Sequence, residues 1–149
     1  MRKAVKGIIL LAVVILIIVC WPRSSKYYED KVDRMMPEQV IGYYIKVCAE
    51  KNERKIYATV AGRLAMETIF WDSMEPEKLV EIKPAQVDTL PIIVNELYEA
   101  KVYEVTTKTR YRIGKPPPEE ETLYYYVGRE SENAGWRVYD VTKIEQLME

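Results

Sequence analysis

Along the chain, apolar and polar positions change period several times. Residues Gly7 to Trp21 (GIILLAVVILIIVCW) form an uncharged run of fifteen with no polar face. Residues 22–35 are polar and charged and read as a tether. From Pro37, a natural first position of a helix, Val40, Ile41, Tyr44, Ile45 and Cys48 follow the i, i+3, i+4, i+7 spacing of one buried stripe. The break Glu50-Lys51-Asn52-Glu53 predicts a second helix over about residues 53–65, with Tyr57, Val60, Ala61 and Leu64 on one side. Ala65 to Glu77 has no clear period. Leu79 to Val87 alternates Val80, Ile82 and Pro84, which suggests an edge or bulged strand because proline cannot donate to a ladder. Pro91 to Val94 fits loop cover or a short strand. From Tyr98 to Ile113 the alternation is long, with Tyr103, Val105, Thr107, Thr109, Tyr111 and Ile113 on one face and Glu104, Thr106, Lys108, Arg110 and Arg112 on the other. A turn from Gly114 to Glu121 with three prolines at 116–118, a strand from Thr122 to Arg129, a turn at Ser131 to Gly135 and a last strand from Trp136 to Thr142 complete a meander. Helices followed by long strands belong to the α+β class.

Charge divides the chain in the same place as hydropathy. Arg2, Lys3 and Lys6 make residues 1–21 +3, which leaves 19 bases against 23 acids, or −4, for the rest. A folded part with an acidic excess does not suit nucleic-acid binding. As a helix the apolar run rises roughly 22 Å, short of a hydrocarbon core of about 30 Å, and Lys6 and Arg23 can snorkel to close most of the gap. Three readings of this segment stay open: an uncleaved signal anchor, which the run favours; a lipoprotein signal acylated at Cys20, whose preceding Ile17-Ile18-Val19 lacks the usual small residue; and a cleaved signal without a small-residue cleavage site. The basic N-terminal flank favours an N-terminus in the cytoplasm and a single pass, with the domain outside. Trp21, Tyr27 and Tyr28 suit an aromatic belt at the outer headgroups. Cys48 sits in the apolar stripe and is expected as a small core residue, with no structural disulfide.

A resemblance follows from the order of motifs. Pro37-Glu38-Gln39-Val40, then Tyr43-Tyr44, a polar break, a second helix with Tyr57 and a closing Gly-Trp-Arg-Val-Tyr-Asp-Val at 135–141 resemble the nuclear-transport-factor-2-like, or cystatin-like, superfamily, in particular small bacterial domains carried outside the membrane behind a signal or lipid anchor. The resemblance covers about residues 36–142, and with the apolar run and the polar stretch it divides the chain into a transmembrane segment at 1–21, a tether at 22–35 and an expected nuclear-transport-factor-2-like domain at 36–149. It implies two or three helices packed on a strongly curved antiparallel sheet around a cone-shaped pocket. Members of the superfamily include enzymes, ligand binders and assembly modules, so the fold does not choose among these.

Candidate chemistry is narrowed mainly by what is missing. The chain has no histidine, which removes Ser-His-Asp and Cys-His nucleophile pairs and nearly all zinc sites. Gly114-Lys115 lacks the preceding glycine of a phosphate loop, and no dinucleotide fingerprint, calcium loop or Cys-x-x-Cys occurs. No cofactor or metal is expected. Laying the strands against one another from their turns points Tyr103, Tyr125 and Trp136 inward as a possible pocket, with Asp140 at its mouth as a possible base. Arg110, Arg112, Tyr124 and Tyr126 fall outward as a possible partner surface through cation–π pairs. The expected function is a non-catalytic interaction or assembly module of the bacterial cell envelope, attached through residues 7–21 and engaging a protein partner. The alternatives are a lipoprotein that binds a small ligand in the aromatic pocket, and a cofactor-free enzyme using Asp140.

Overall fold

A computed structural model describes residues 24–61, 76–87, 90, 92–109 and 120–143. Three helices pack on a four-stranded antiparallel sheet, an α+β arrangement: α1 (Ser25–Val32), α2 (Pro37–Ala49) and α3 (Glu53–Thr59), then β1 (Pro76–Ala85), a one-turn helix α4 (Ile92–Asn95), β2 (Glu99–Thr109), β3 (Glu121–Arg129) and β4 (Arg137–Lys143). Strand order is the sequence order, β1-β2-β3-β4. No helix among the described residues is long and apolar enough to cross a membrane. The expected anchor with Cys20, residues 62–75, residues 110–113 and the triple-proline turn all lie outside the described residues.

Helix α2 forms where the periodic stripe places it. Pro37 occupies its first turn, Gln39 Oε1 accepts from the Met36 N–H at 2.9 Å, and Val40, Ile41, Tyr44, Ile45 and Cys48 are buried. Lys51 then takes a left-handed conformation (φ 52°), the geometry that closes a helix and more often falls to glycine. Asn52 caps the next helix by accepting from the Lys55 N–H at 3.2 Å, so the three residues Glu50, Lys51 and Asn52 turn α2 into α3. Helix α3 stops at Thr59, earlier than its periodicity suggests. Tyr57 faces solvent while Ala58 and Thr59 are buried, and Val60 leaves the helix to bridge Val138 in parallel, with the Ala61 N–H donating to the Val138 carbonyl at 3.0 Å.

The stretch read as a tether is ordered in large part. Helix α1 buries Val32 completely, and Tyr28 and Met35 pack against the same core. The turn before β4 fixes its C-terminal end: Arg137 Nη2 bonds Asp33 Oδ1 at 2.6 Å, and a Cβ at Gly135 would stand 2.6 Å from Asp33 Cα. The polar composition of 22–35 hides this because one valine and two partly buried side chains suffice to dock a two-turn helix.

Strand β1 is an edge strand, as Pro84 requires, but a bulge changes its phase. Leu79 pairs with Thr107 and Glu81 with Thr106, so Val80 is the extra residue and is exposed, while Leu79 and Ile82 both pack on the core. Ile92 to Asn95 is neither loop nor strand but a single helical turn that buries Val94. The sheet face under the helices carries Tyr103, Val105, Tyr125, Val127 and Val138 with Trp136, in one cluster with Val32, Val40, Ile41, Tyr44 and Ile45. The opposite face carries a second, smaller cluster of Val94, Val102, Tyr126 and Tyr139.

Candidate functional site

Tyr103, Tyr125 and Trp136 share the inner face as their alternation predicts, but the helices fill the space they enclose. Tyr125 is fully buried and meets Tyr44 edge-on, with ring centroids 6.2 Å apart. Burial drives the phenols of Tyr44 and Tyr125 far above the ordinary value of 10, so both stay neutral. Asp140 does not join them. Tyr126 pairs with Asp140 and Val127 with Val138, so Tyr139 is an inserted residue, and the alternation resumes one position out of phase. Asp140 therefore lies on the face of Tyr126, opposite to Trp136 and Val138, with its Oδ1 accepting from the Val141 N–H at 2.8 Å.

The expected partner surface is altered in the same way. Tyr126 is completely buried and Tyr124 half-buried in the second cluster. Their partners in register across β2 are Val102 and Glu104, not Arg110 or Arg112, which lie outside the described residues. Burial raises the Tyr126 phenol, and Tyr139, which donates to Glu130 at 3.2 Å, is pushed up to about 12 by burial and by that carboxylate.

What the inner face does present lies at its end, past the last aromatic. Glu99 and Arg129 stand directly opposite one another at the start of β2 and the end of β3, and Arg129 Nε and Nη2 donate to Glu99 Oε2 at 2.9 and 2.6 Å. Arg129 Nη1 donates to the Glu132 carbonyl at 2.7 Å, which fixes the guanidinium on a third side. Trp136, almost fully buried, lies 5.2 Å from both the Lys101 ammonium and the Arg129 guanidinium, and Arg129 is also 5.4 Å from the ring of Tyr98, which is 58% exposed. One step further in, the Tyr103 hydroxyl donates to Glu38 Oε1 at 2.8 Å. Glu38 is held below its ordinary carboxylate value, first by its own backbone N–H in the first turn of α2 and then by Tyr103. Tyr103 in turn is pushed up, chiefly by burial and then by Glu38. The two shifts move apart, so at neutral pH Glu38 stays ionised and Tyr103 protonated. Neither is poised to move a proton.

Glu38, Glu99, Lys101 and Arg129 are not among the candidates read from the sequence, although a signal is there. Glu99 and Lys101 continue the odd-numbered phase of Tyr103, and Arg129 that of Tyr125 and Val127, so opposite charges extend the inner face beyond its aromatics. A separate open groove of about 430 Å³ lies between α2 and β1, floored by Gly42, Ile45, Ala49 and Leu79 and rimmed by Lys46, Glu50 and Lys78. Among the described residues, no group of three or more acidic or cysteine side chains could hold a metal ion. Compared with the models of known families, with curated proteins and with solved structures, the chain matches none.

Proposed function

We propose that this protein is a single-pass, membrane-anchored module whose domain lies outside the cytoplasm and engages a protein partner without catalysis. Its domain is read as a cone of the nuclear-transport-factor-2-like kind in which the cavity has been given over to core. The observation that carries this reading is the paired end of the inner face. Tyr98 is exposed and stacks on an arginine already immobilised by Glu99 and by the Glu132 carbonyl, beside the Trp136 ring. Rigid Tyr, Arg and Trp side chains lose little freedom on binding and dominate the energetics of protein contacts. The filling of the inner face by Tyr44 and Tyr125 leaves little room there for a small ligand, and the bulge that removes Asp140 from this face takes away the support for a base.

A photo-crosslinking residue placed at position 98 of the full chain in its native membrane tests the reading, with the same residue at position 106 as the control. The expected result is a discrete adduct from position 98 that disappears with Arg129→Ala. Identical patterns from both positions would overturn the partner surface. Protease added to intact spheroplasts should remove the domain, and full protection would overturn its placement outside.

A further inference from the structure

The distance between the apolar run and the folded domain is set by α1. Three residues, Pro22 to Ser24, separate Trp21 from the first residue of that helix. Fully extended they reach about 10 Å, comparable with a Debye length of about 8 Å at physiological salt. Helix α1 cannot swing away to lengthen the link, because Val32 is completely buried and Asp33 is tied to Arg137 at 2.6 Å.

Aromatic and basic side chains of α1, α2 and α3 meet beside the start of the described chain. Tyr27, 44% exposed, meets Tyr28 edge-on at 5.4 Å, and Lys31 lies 4.6 Å over the ring of Tyr43 on α2. Lys55 of α3 bonds Glu50 at 2.7 Å. That hydrogen bond is the main reason the Glu50 carboxyl stays below its ordinary value, and Lys46 and Lys31 are close enough to add to it. Three lysines thus gather around one glutamate and a group of three tyrosines, within a domain whose total charge is negative.

We infer that the surface formed by Tyr27, Tyr28, Lys31, Tyr43, Lys46 and Lys55 lies against the membrane and contacts the headgroups of anionic phospholipids. The inference rests on the reading that residues 7–21 enter the membrane. Tyrosines suit headgroup depth because the ring is apolar and the hydroxyl is wet. Lysines held within a Debye length of an anionic surface are attracted to it, and Glu29 and Asp30, exposed on α1, offset part of that attraction. Anchor and surface together orient the domain, so that the Tyr98 and Arg129 end is presented in a defined direction rather than on a free tether.

The full chain, isotope-labelled and reconstituted in nanodiscs of phosphatidylcholine with or without phosphatidylglycerol, tests this by NMR with a paramagnetic label on the lipid headgroup. The expected result is selective broadening at Tyr27, Lys31, Tyr43 and Lys46, with Thr106 and Thr122 on the far face of the sheet unaffected, and stronger broadening when phosphatidylglycerol is present. Lys31→Gln with Lys46→Gln should lower the ratio of the facing to the other orientations by about fivefold per lysine removed. Incorporation into the discs with uniform broadening, or with broadening of the Thr106 face, would overturn the surface while sparing the anchor. Failure of the chain to co-elute with the discs would overturn both. Concentration-dependent shifts at these residues without paramagnetic broadening would make the surface a contact between protein molecules and overturn its assignment to lipid.

Discussion

The two faces of the sheet come from the same strands and the same alternation, yet they are covered to different extents. The inner face lies under α1, α2 and α3, and its apolar positions are buried or partly buried from Leu79 and Ile82 on β1 across to Val138 on β4. Among the described residues, the outer face is dry at one end, where α4 and the residues on either side of it cover Val102, Tyr126 and Tyr139 with Val94, Leu90 and Leu97. Toward the other end of β2 and β3 it carries Glu104 and a hydrogen-bonded pair of threonines, Thr106 and Thr122, at 2.9 Å. A single period-2 pattern can therefore build one full core and one partial core in the same sheet. Which outward tyrosine is surface and which is core depends on where a covering segment stops.

The largest effect that separates the faces is expected from Tyr125→Ala. Removing the ring that meets Tyr44 leaves a cavity in the main core and should cost about 3 to 5 kcal/mol. Denaturant unfolding of the full chain measures it, and a loss no larger than that of an exposed tyrosine such as Tyr57 would erase the distinction between the faces. Gly128→Ala probes the outer cluster. A Cβ there would stand 3.2 Å from the Glu99 carbonyl and run into the Leu97 side chain, so a loss of about 1 to 3 kcal/mol is expected. A neutral result would mean that Leu97 does not close this end.

Tyr103→Phe removes the hydrogen bond to Glu38 and should cost about 0.5 to 1.5 kcal/mol. It also changes the acid limb of stability. Because the Glu38 carboxyl lies below its ordinary value of 4.5 in the folded chain, its contribution is complete above that pH and is lost as the pH falls through the depressed value. Acid titration of stability should therefore be shallower in Tyr103→Phe than in the parent chain, and equal slopes would remove the Glu38 link. The smallest change is expected from Asp140→Asn, within about 0.5 kcal/mol, because the residue is on the outer face and an asparagine oxygen can still accept from the neighbouring Val141 N–H. The Trp136 indole signal should not move in that variant. A shift would place Asp140 back on the inner face.

Much of the architecture is legible in the residue pattern, and the exceptions share a cause. The stripe from Val40 to Cys48, the edge position imposed by Pro84 and the inward set Tyr103, Val105, Tyr125 and Val127 all follow from local periodicity, and each is buried or placed as that periodicity requires. Simple alternation misplaces Asp140 and Val80 because each follows or forms a bulge, and one inserted residue exchanges the faces for everything beyond it. Nothing local to Val138-Tyr139-Asp140 announces that insertion, which depends on how β4 pairs with β3. The pairing of Glu99 with Arg129 is partly visible in the phase of the strands, but the approach of Trp136 and Tyr98 to the same guanidinium requires the turn at 130–136 to fold back.

By itself, the sequence determined the class of the fold, the succession of α2, α3 and the four strands, the main buried faces and a +3 apolar segment joined to a −4 remainder. These are properties of spacing and composition, which the chain carries at every point. The tertiary structure decided that the supposed tether packs as α1, that Tyr126 is core rather than surface, that Asp140 turns away from the aromatics, and that Arg129 gathers Glu99, Tyr98 and Trp136 into one end of the sheet. Those outcomes come from contacts between residues distant in the chain, where cross-strand register and packing, not local preference, select the lowest free energy.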